Sequence, residues 1–140
     1  MSNLHLTPMG DYGKLYDITP ASAGWSYVGF GLYCLKPGDQ VAEHTAETEV
    51  ILVLVEGKAE ITAGGQSFGK MGARLSVFEK TPPHALYVPG RSDWSAQATT
   101  DCVLAVCAAP DISDYPVTRL GPEGIESMQR GQGANTRYIN

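Results

Sequence analysis

Residues 50–55, Val-Ile-Leu-Val-Leu-Val, constrain this chain more than any other stretch. They form an unbroken apolar run, mostly β-branched, between Glu49 and Glu56, with Gly57 just beyond. A run so short and so rich in valine predicts a strand rather than a helix. Alternation sends Val50, Leu52 and Leu54 to one face and Ile51, Val53 and Val55 to the other. Both faces are therefore apolar. One can fill the core of a sandwich or barrel; the other needs a second layer, a second domain or a partner subunit over it. Residues 58–63 and the pair Gly64-Gly65 follow at once. The spacing predicts a hairpin, with the strand turning at Glu56-Gly57 and a second strand returning from it.

The rest of the chain reads as more short strands. Residues 1–24 are polar and turn-rich, an extended lead-in. Residues 25–35 make a long strand in which Val28, Phe30, Leu32 and Cys34 are expected to face the core. Gly29 and Gly31, alternating with them, would let another backbone approach closely. Strands are also predicted at 66–70, at 73–78 with Leu75 and Val77 inward, at 84–88, at 93–99, and at 101–109, the last again apolar on both faces. Pro82-Pro83 separates two of them, since proline cannot donate to a ladder. No amphipathic helix of useful length is predicted, so the reading is an all-β sandwich or small barrel over residues 25–110. Residues 111–140 are loop-rich and end on what reads as the start of another strand, a connector toward a further domain.

Composition narrows the function. With 140 residues, 43% hydrophobic and 18% charged, the chain can bury a real core. A net charge of −5, with no two basic residues adjacent, argues against nucleic acid or an anionic membrane as partner. No run reaches the length of a membrane span, and residues 1–8 do not resemble a signal peptide. Cys34, Cys102 and Cys107 fall at positions that read as buried. An odd number of such cysteines predicts reduced thiols and a cytoplasmic protein. Cys102 and Cys107 are five apart on one strand, so they face opposite sides and cannot pair.

The turn Lys36-Pro37-Gly38-Asp39, then His44, Glu49 and the strand ending at Gly57, resembles the first motif of the cupins, whose double-stranded β-helix binds a divalent metal through His-x-His and Glu. Here His44 matches the first histidine, Ala46 replaces the second, and Glu49 stands one residue out of the usual spacing. Three stretches, Gly24-Trp-Ser-Tyr-Val-Gly-Phe, Gly72-Ala-Arg-Leu-Ser-Val-Phe-Glu and residues 115–140 with Arg130-Gly-Gln-Gly-Ala-Asn-Thr-Arg, resemble the N-terminal half of the 5-deoxy-glucuronate isomerase family. The resemblance implies an all-β cupin fold and a bicupin about twice this length, with the divalent metal in the C-terminal cupin and none on this chain. It implies isomerisation of 5-deoxy-glucuronate to 5-dehydro-2-deoxygluconate in inositol catabolism, with this half as scaffold. It also implies a partner over the outer sheet face, either the second cupin or another copy in a homodimer. A metal-free binding or oligomerisation module is the alternative.

The candidate site residues are His44, Glu49, Arg74, His84, Arg130 and Arg137. His44, Glu49 and His84 would make a metal triad if the strands brought them together; otherwise they are a loop histidine, a strand carboxylate and a strand-start histidine. Glu43, Glu47 and Glu49 crowd one segment and read as a solvated rim rather than an acid/base pair. Arg74 would clamp a sugar carboxylate or form an ion pair with Glu79. Arg130 and Arg137 either reach a small sugar-acid ligand in the neighbouring domain or belong to a connector.

Overall fold

The structure, a computed structural model, describes residues 5–112 and 115–139. The first four residues of the predicted lead-in, Ser113 and Asp114 of the predicted connector, and Asn140 lie outside the described residues. The chain runs through β1 (Gly13–Ile18), a short α1 (Pro20–Ala23), β2 (Gly29–Leu35), β3 (Gln40–His44), β4 (Thr48–Glu56), β5 (Ala59–Ala63) and β6 (Gln66–Met71). Then come β7 (Ala85–Val88), β8 (Asp93–Ala98), β9 (Cys102–Pro110), β10 (Thr118–Leu120), β11 (Met128–Arg130) and β12 (Arg137–Ile139).

Ten of these strands make two sheets, a six-stranded sheet ordered β1-β2-β9-β4-β7-β10 and a four-stranded one ordered β3-β8-β5-β6, while β11 and β12 form a separate hairpin. The sheets pack as a sandwich around a continuous core. The larger sheet contributes Val50, Leu52, Leu54, Leu86, Leu104 and Val106; the smaller contributes Ala59, Ile61, Ala63, Trp94, Ala96 and Ala98. Large side chains thus meet alanines, which lets the two inner faces interdigitate.

β4 is the strand its sequence predicts. Val50, Leu52 and Leu54 are buried, whereas Ile51, on the other face, keeps 38% of its surface exposed. The predicted hairpin after it does not form. β4 lies between β9 and β7, so neither of its edges is free for β5. The chain instead crosses at Gly57 into the other sheet, where β5 pairs with β6 and β8. Gly57 has φ +82°, and a Cβ there would lie 2.0 Å from the Asp101 carbonyl oxygen. Only glycine turns this corner without both strain and collision.

Two further expectations are corrected. β2 presents Gly29, Gly31, Tyr33 and Leu35 to the interior, not Val28, Phe30, Leu32 and Cys34. Both sets of this strand can pack, and the structure places the glycines on the inner face. A Cβ on Gly29 would approach the Ile18 carbonyl oxygen to 3.2 Å, and one on Gly31 would lie 3.7 Å from Lys14 Cε. The close backbone approach predicted at these glycines therefore does occur, from β1. Residues 73–78 are not a strand but part of an irregular loop. Its N–H groups are satisfied by carboxylates rather than by a ladder: Leu75 N donates to Glu79 at 3.0 Å and Val77 N to Glu56 at 2.9 Å. Leu75 and Val77 point outward, and Phe78 is 93% exposed.

Of the cysteines, Cys102 is buried and Cys34 half-buried, but Cys107 is exposed on the outer face of β9. Its position opposite Ile51 and Phe30 explains why it read as a core thiol, since its neighbours there are apolar. No helix among the described residues is long and apolar enough to cross a membrane.

Replacing Gly57 by Ala is expected to destabilise the fold by ~2 kcal/mol or more, combining left-handed strain with the clash against Asp101. Urea denaturation checks this; a loss below about 0.5 kcal/mol would show that the corner relaxes freely.

Candidate functional site

One end of the sandwich is open between the sheets. Three local features bring charged side chains there. On β3, alternation turns Val41 and Glu43 inward and leaves Gln40, Ala42 and His44 exposed. On β1 a bulge between Lys14 and Tyr16 adds one residue to the register. Residues three apart on a regular strand face opposite sides; the bulge instead sets Lys14 and Asp17 on the same side. On β2, Gly31 leaves room for the lysine stem.

The result is a network across the sheets. Lys14 Nζ donates to Glu43 Oε1 at 2.9 Å and lies 2.9 Å from Asp17 Oδ1. The Tyr33 hydroxyl donates to the same Glu43 oxygen. The ammonium also sits 5.4 Å from the centre of the Tyr33 ring. A cavity of about 190 Å³ opens beside this cluster, with Gly29, Gly31 and Trp94 among its walls.

The environment sets the protonation states. Burial pushes Tyr33 up to about 12, and its hydrogen bond to Glu43 adds to the shift. Burial alone would lower Lys14, but its bonds to Glu43, Asp17 and Tyr33 outweigh that and hold it above the ordinary lysine value. At neutral pH the lysine is charged and the phenol neutral.

The predicted site residues are dispersed. His44 faces away from the cavity cluster and pairs with Asp93, Nδ1 to Oδ1 2.8 Å, with both side chains more than half exposed. Glu49 lies on the outer face of β4 and accepts a hydrogen bond from the Tyr87 hydroxyl at 2.8 Å. His84 is at the far end of β4, where its carbonyl accepts from Leu54 N. Five residues of extended strand separate Glu49 from Leu54, roughly 17 Å. The triad His44, Glu49 and His84 therefore does not converge. His84 Nδ1 accepts from Gly72 N at 2.8 Å, and burial, then Arg119, lowers its pKa and keeps the ring neutral.

The carboxylates read as one rim also part ways. Glu43 turns inward, Glu47 pairs with Arg91 at 2.7 Å, and Glu49 goes outward. Arg74 contacts neither Glu79 nor any other carboxylate among the described residues. Its Nε donates to the Val55 carbonyl at 2.8 Å and its Nη1 to that of Thr81 at 3.2 Å, tying the 72–84 loop to β4. Arg130 and Arg137 are cross-strand partners on the β11–β12 hairpin, so two guanidinium-bearing residues share one edge of it.

Sequence reasoning missed Lys14, Asp17 and Tyr33, and placed Glu43 on the surface. The signal for Glu43 was present: it stands two residues from Val41 on a strand with one buried face. The bulge that recruits Lys14 left no mark in the pattern.

The family model described as the KduI/IolB family matches residues 5–140. The chain belongs to the KduI/IolB family. A relative in Geobacillus thermodenitrificans, described as 5-deoxy-glucuronate isomerase, is 41% identical over 128 residues, covering 91% of this chain and 47% of the relative. An IolB-like protein from Salmonella typhimurium LT2, solved by crystallography, superposes with a TM-score of 0.89 at 37% identity, over 95% of this chain and 51% of that one. The chain thus spans about half the length of these relatives. The cupin domain of Schizosaccharomyces pombe Cnp3, 15% identical with a TM-score of 0.50 over 78% of this chain and 70% of that one, shares the architecture alone. The fold is a cupin.

The first cupin motif, which His44 and Glu49 resemble, carries divalent-metal ligands, so the donors near it can be tested for fit. Lys14 already places a positive charge against both carboxylates, and the nearest histidine, His44, is turned outward. Among the described residues no three His, Cys, Asp or Glu side chains gather as ligands. The mouth does not fit a metal.

The folded state holds the Tyr33 proton more tightly than the unfolded chain does. The stability this confers is whole below pH 10.0 and drains away as pH rises toward about 12. Denaturation at about pH 9 and about pH 11 is expected to show a fall ~1–2 kcal/mol smaller in Tyr33→Phe than in the wild type. Equal falls would mean that Tyr33 titrates normally.

Proposed function

We propose that this chain serves as the N-terminal cupin of a 5-deoxy-glucuronate isomerase system, as scaffold and interface rather than as the metal-bearing half. The observation that carries this is the pairing of a KduI/IolB family match with a length about half that of the relatives. In that system an aldose and a ketose are interconverted, 5-deoxy-glucuronate becoming 5-dehydro-2-deoxygluconate. The divalent metal of the second cupin supplies polarisation of the substrate oxygens. The arrangement at the mouth of this half, with Lys14 between two carboxylates, supports assigning that chemistry elsewhere. Arg130 and Arg137, together on an exposed hairpin, suit an anionic sugar acid approached from outside this domain.

The outer sheet faces support an interface role. On the four-stranded sheet Gln40, His44, Glu60, Asp93 and Gln97 face solvent. On the six-stranded sheet the outward positions include Phe30, Leu32, Ile51, Val53, Val103 and Cys107. An antiparallel sheet with one buried face ordinarily alternates to polar residues on the other, and this one does not. We propose that a second copy covers that face.

Purified chain is expected to give no turnover of 5-deoxy-glucuronate with or without added divalent ions. Turnover that scales with bound metal would overturn the scaffold reading. Light scattering at micromolar concentration should report a dimer, and Ile51→Glu should shift it to monomer by placing a charge in the apolar contact. A monomeric wild-type chain would sink the second-copy proposal.

A further inference from the structure

We propose that the mouth between the sheets is a binding site for an uncharged polyhydroxylated ligand, a single sugar ring or a polyol of similar size. This is a second site, independent of the scaffold reading and of any chemistry in another domain.

The space comes first. The cavity of about 190 Å³ would hold about six waters, room for one small ring. Gly29 and Gly31 keep side chains out of it on the β2 side. Val50, Val106 and the indole of Trp94 give it apolar walls. Apolar walls with a few directed polar groups are the usual make-up of a small-ligand site.

The polar groups then select the ligand. One ammonium and two carboxylates meet at the cavity, a formal charge of −1. A carboxylate- or phosphate-bearing ligand would face that excess of negative charge. A cationic ligand would have to share its place with Lys14. Hydroxyl groups have neither problem, because each both donates and accepts.

The free valences match that pattern. Glu43 Oε1 is taken twice, by Lys14 and Tyr33, while its Oε2 has no hydrogen-bond partner among the described residues. Asp17 uses Oδ1 on Lys14 and has no partner for Oδ2 among them. Two acceptors thus flank one ammonium. Adjacent hydroxyls on a ring can donate to both open carboxylate oxygens together. The neutral Tyr33 phenol and the charged Lys14 hold Glu43 in place, so its orientation is set before a ligand arrives. A cluster that only fastens β1, β2 and β3 together would need neither the glycine-lined space nor the open carboxylate oxygens.

The test is an NMR titration of the full ¹⁵N-labelled chain with D-glucose, D-galactose and glycerol, and in parallel with D-glucuronate. At least one neutral compound is expected to give saturable shifts at the Trp94 indole N–H and the Gly29 and Gly31 amides. Glucuronate should bind at least about tenfold more weakly, because its charge meets the excess carboxylate. Glu43→Gln and Asp17→Asn should each weaken the neutral ligand by about tenfold, the loss expected when a charged acceptor is removed. Asp17 is half-exposed, at 53%, so its variant decides the matter if Glu43→Gln fails to fold. Three results would overturn the proposal: no saturable shift with any neutral compound, glucuronate binding as tightly, or Asp17→Asn binding like the wild type.

Discussion

Leucines reaching from one sheet into alanines of the other hold this domain together. Leu52, Leu54, Leu86 and Leu104 bury almost completely against a sheet whose inner face carries Ala59, Ala63, Ala96 and Ala98. Each buried leucine contributes about 1.5–3 kcal/mol, and that gain depends on the alanines letting the sheets close. The closure is uneven along the strands. Toward Leu35, Leu54 and Cys102 the interior is filled. Toward Gly29, Val50 and Ala108 it opens into the cavity, because β2 carries glycines there and β9 has passed from Leu104 to alanine. The core and the mouth are consequences of one gradient in side-chain size.

The mouth is polar because three strands deliver polar groups to it, with one ammonium set between two carboxylates. Lys14 neutralises Glu43, the Tyr33 phenol shares the same oxygen, and Asp17 completes the set. An ammonium thus already stands against both carboxylates of the mouth.

The outer faces carry a second asymmetry. The four-stranded sheet follows the ordinary alternation and is wet on its outside. The six-stranded sheet is apolar on both sides at β4 and β9, its two central strands. The protruding Leu75, Val77 and Phe78 of the 72–84 loop extend the apolar character beyond the sheet.

Much of this could be read from the chain alone. The strands at β4 and β9 follow from apolar, valine-bearing runs, those at β6, β7 and β8 from short segments set off by glycine and proline turns, and the division of β4 into two apolar faces follows from period-two alternation. The family was legible in three stretches, one of which, residues 72–79, proved to be a loop rather than a strand. What alternation cannot say is which face lies inside when both can pack, and that is why Val28, Phe30, Leu32 and Cys34 were expected inside. Nor can it say which strands become neighbours. β5 follows β4 in sequence but pairs in the other sheet, because β7 and β9 occupy both edges of β4. Lys14 reaches Glu43 only through a bulge and across twenty-nine residues of chain. The sequence by itself determined the main core strands, the two apolar faces of β4 and β9, and the family. The tertiary structure alone decided the site, since its residues come from three strands whose contacts are nonlocal and whose register a local pattern does not encode.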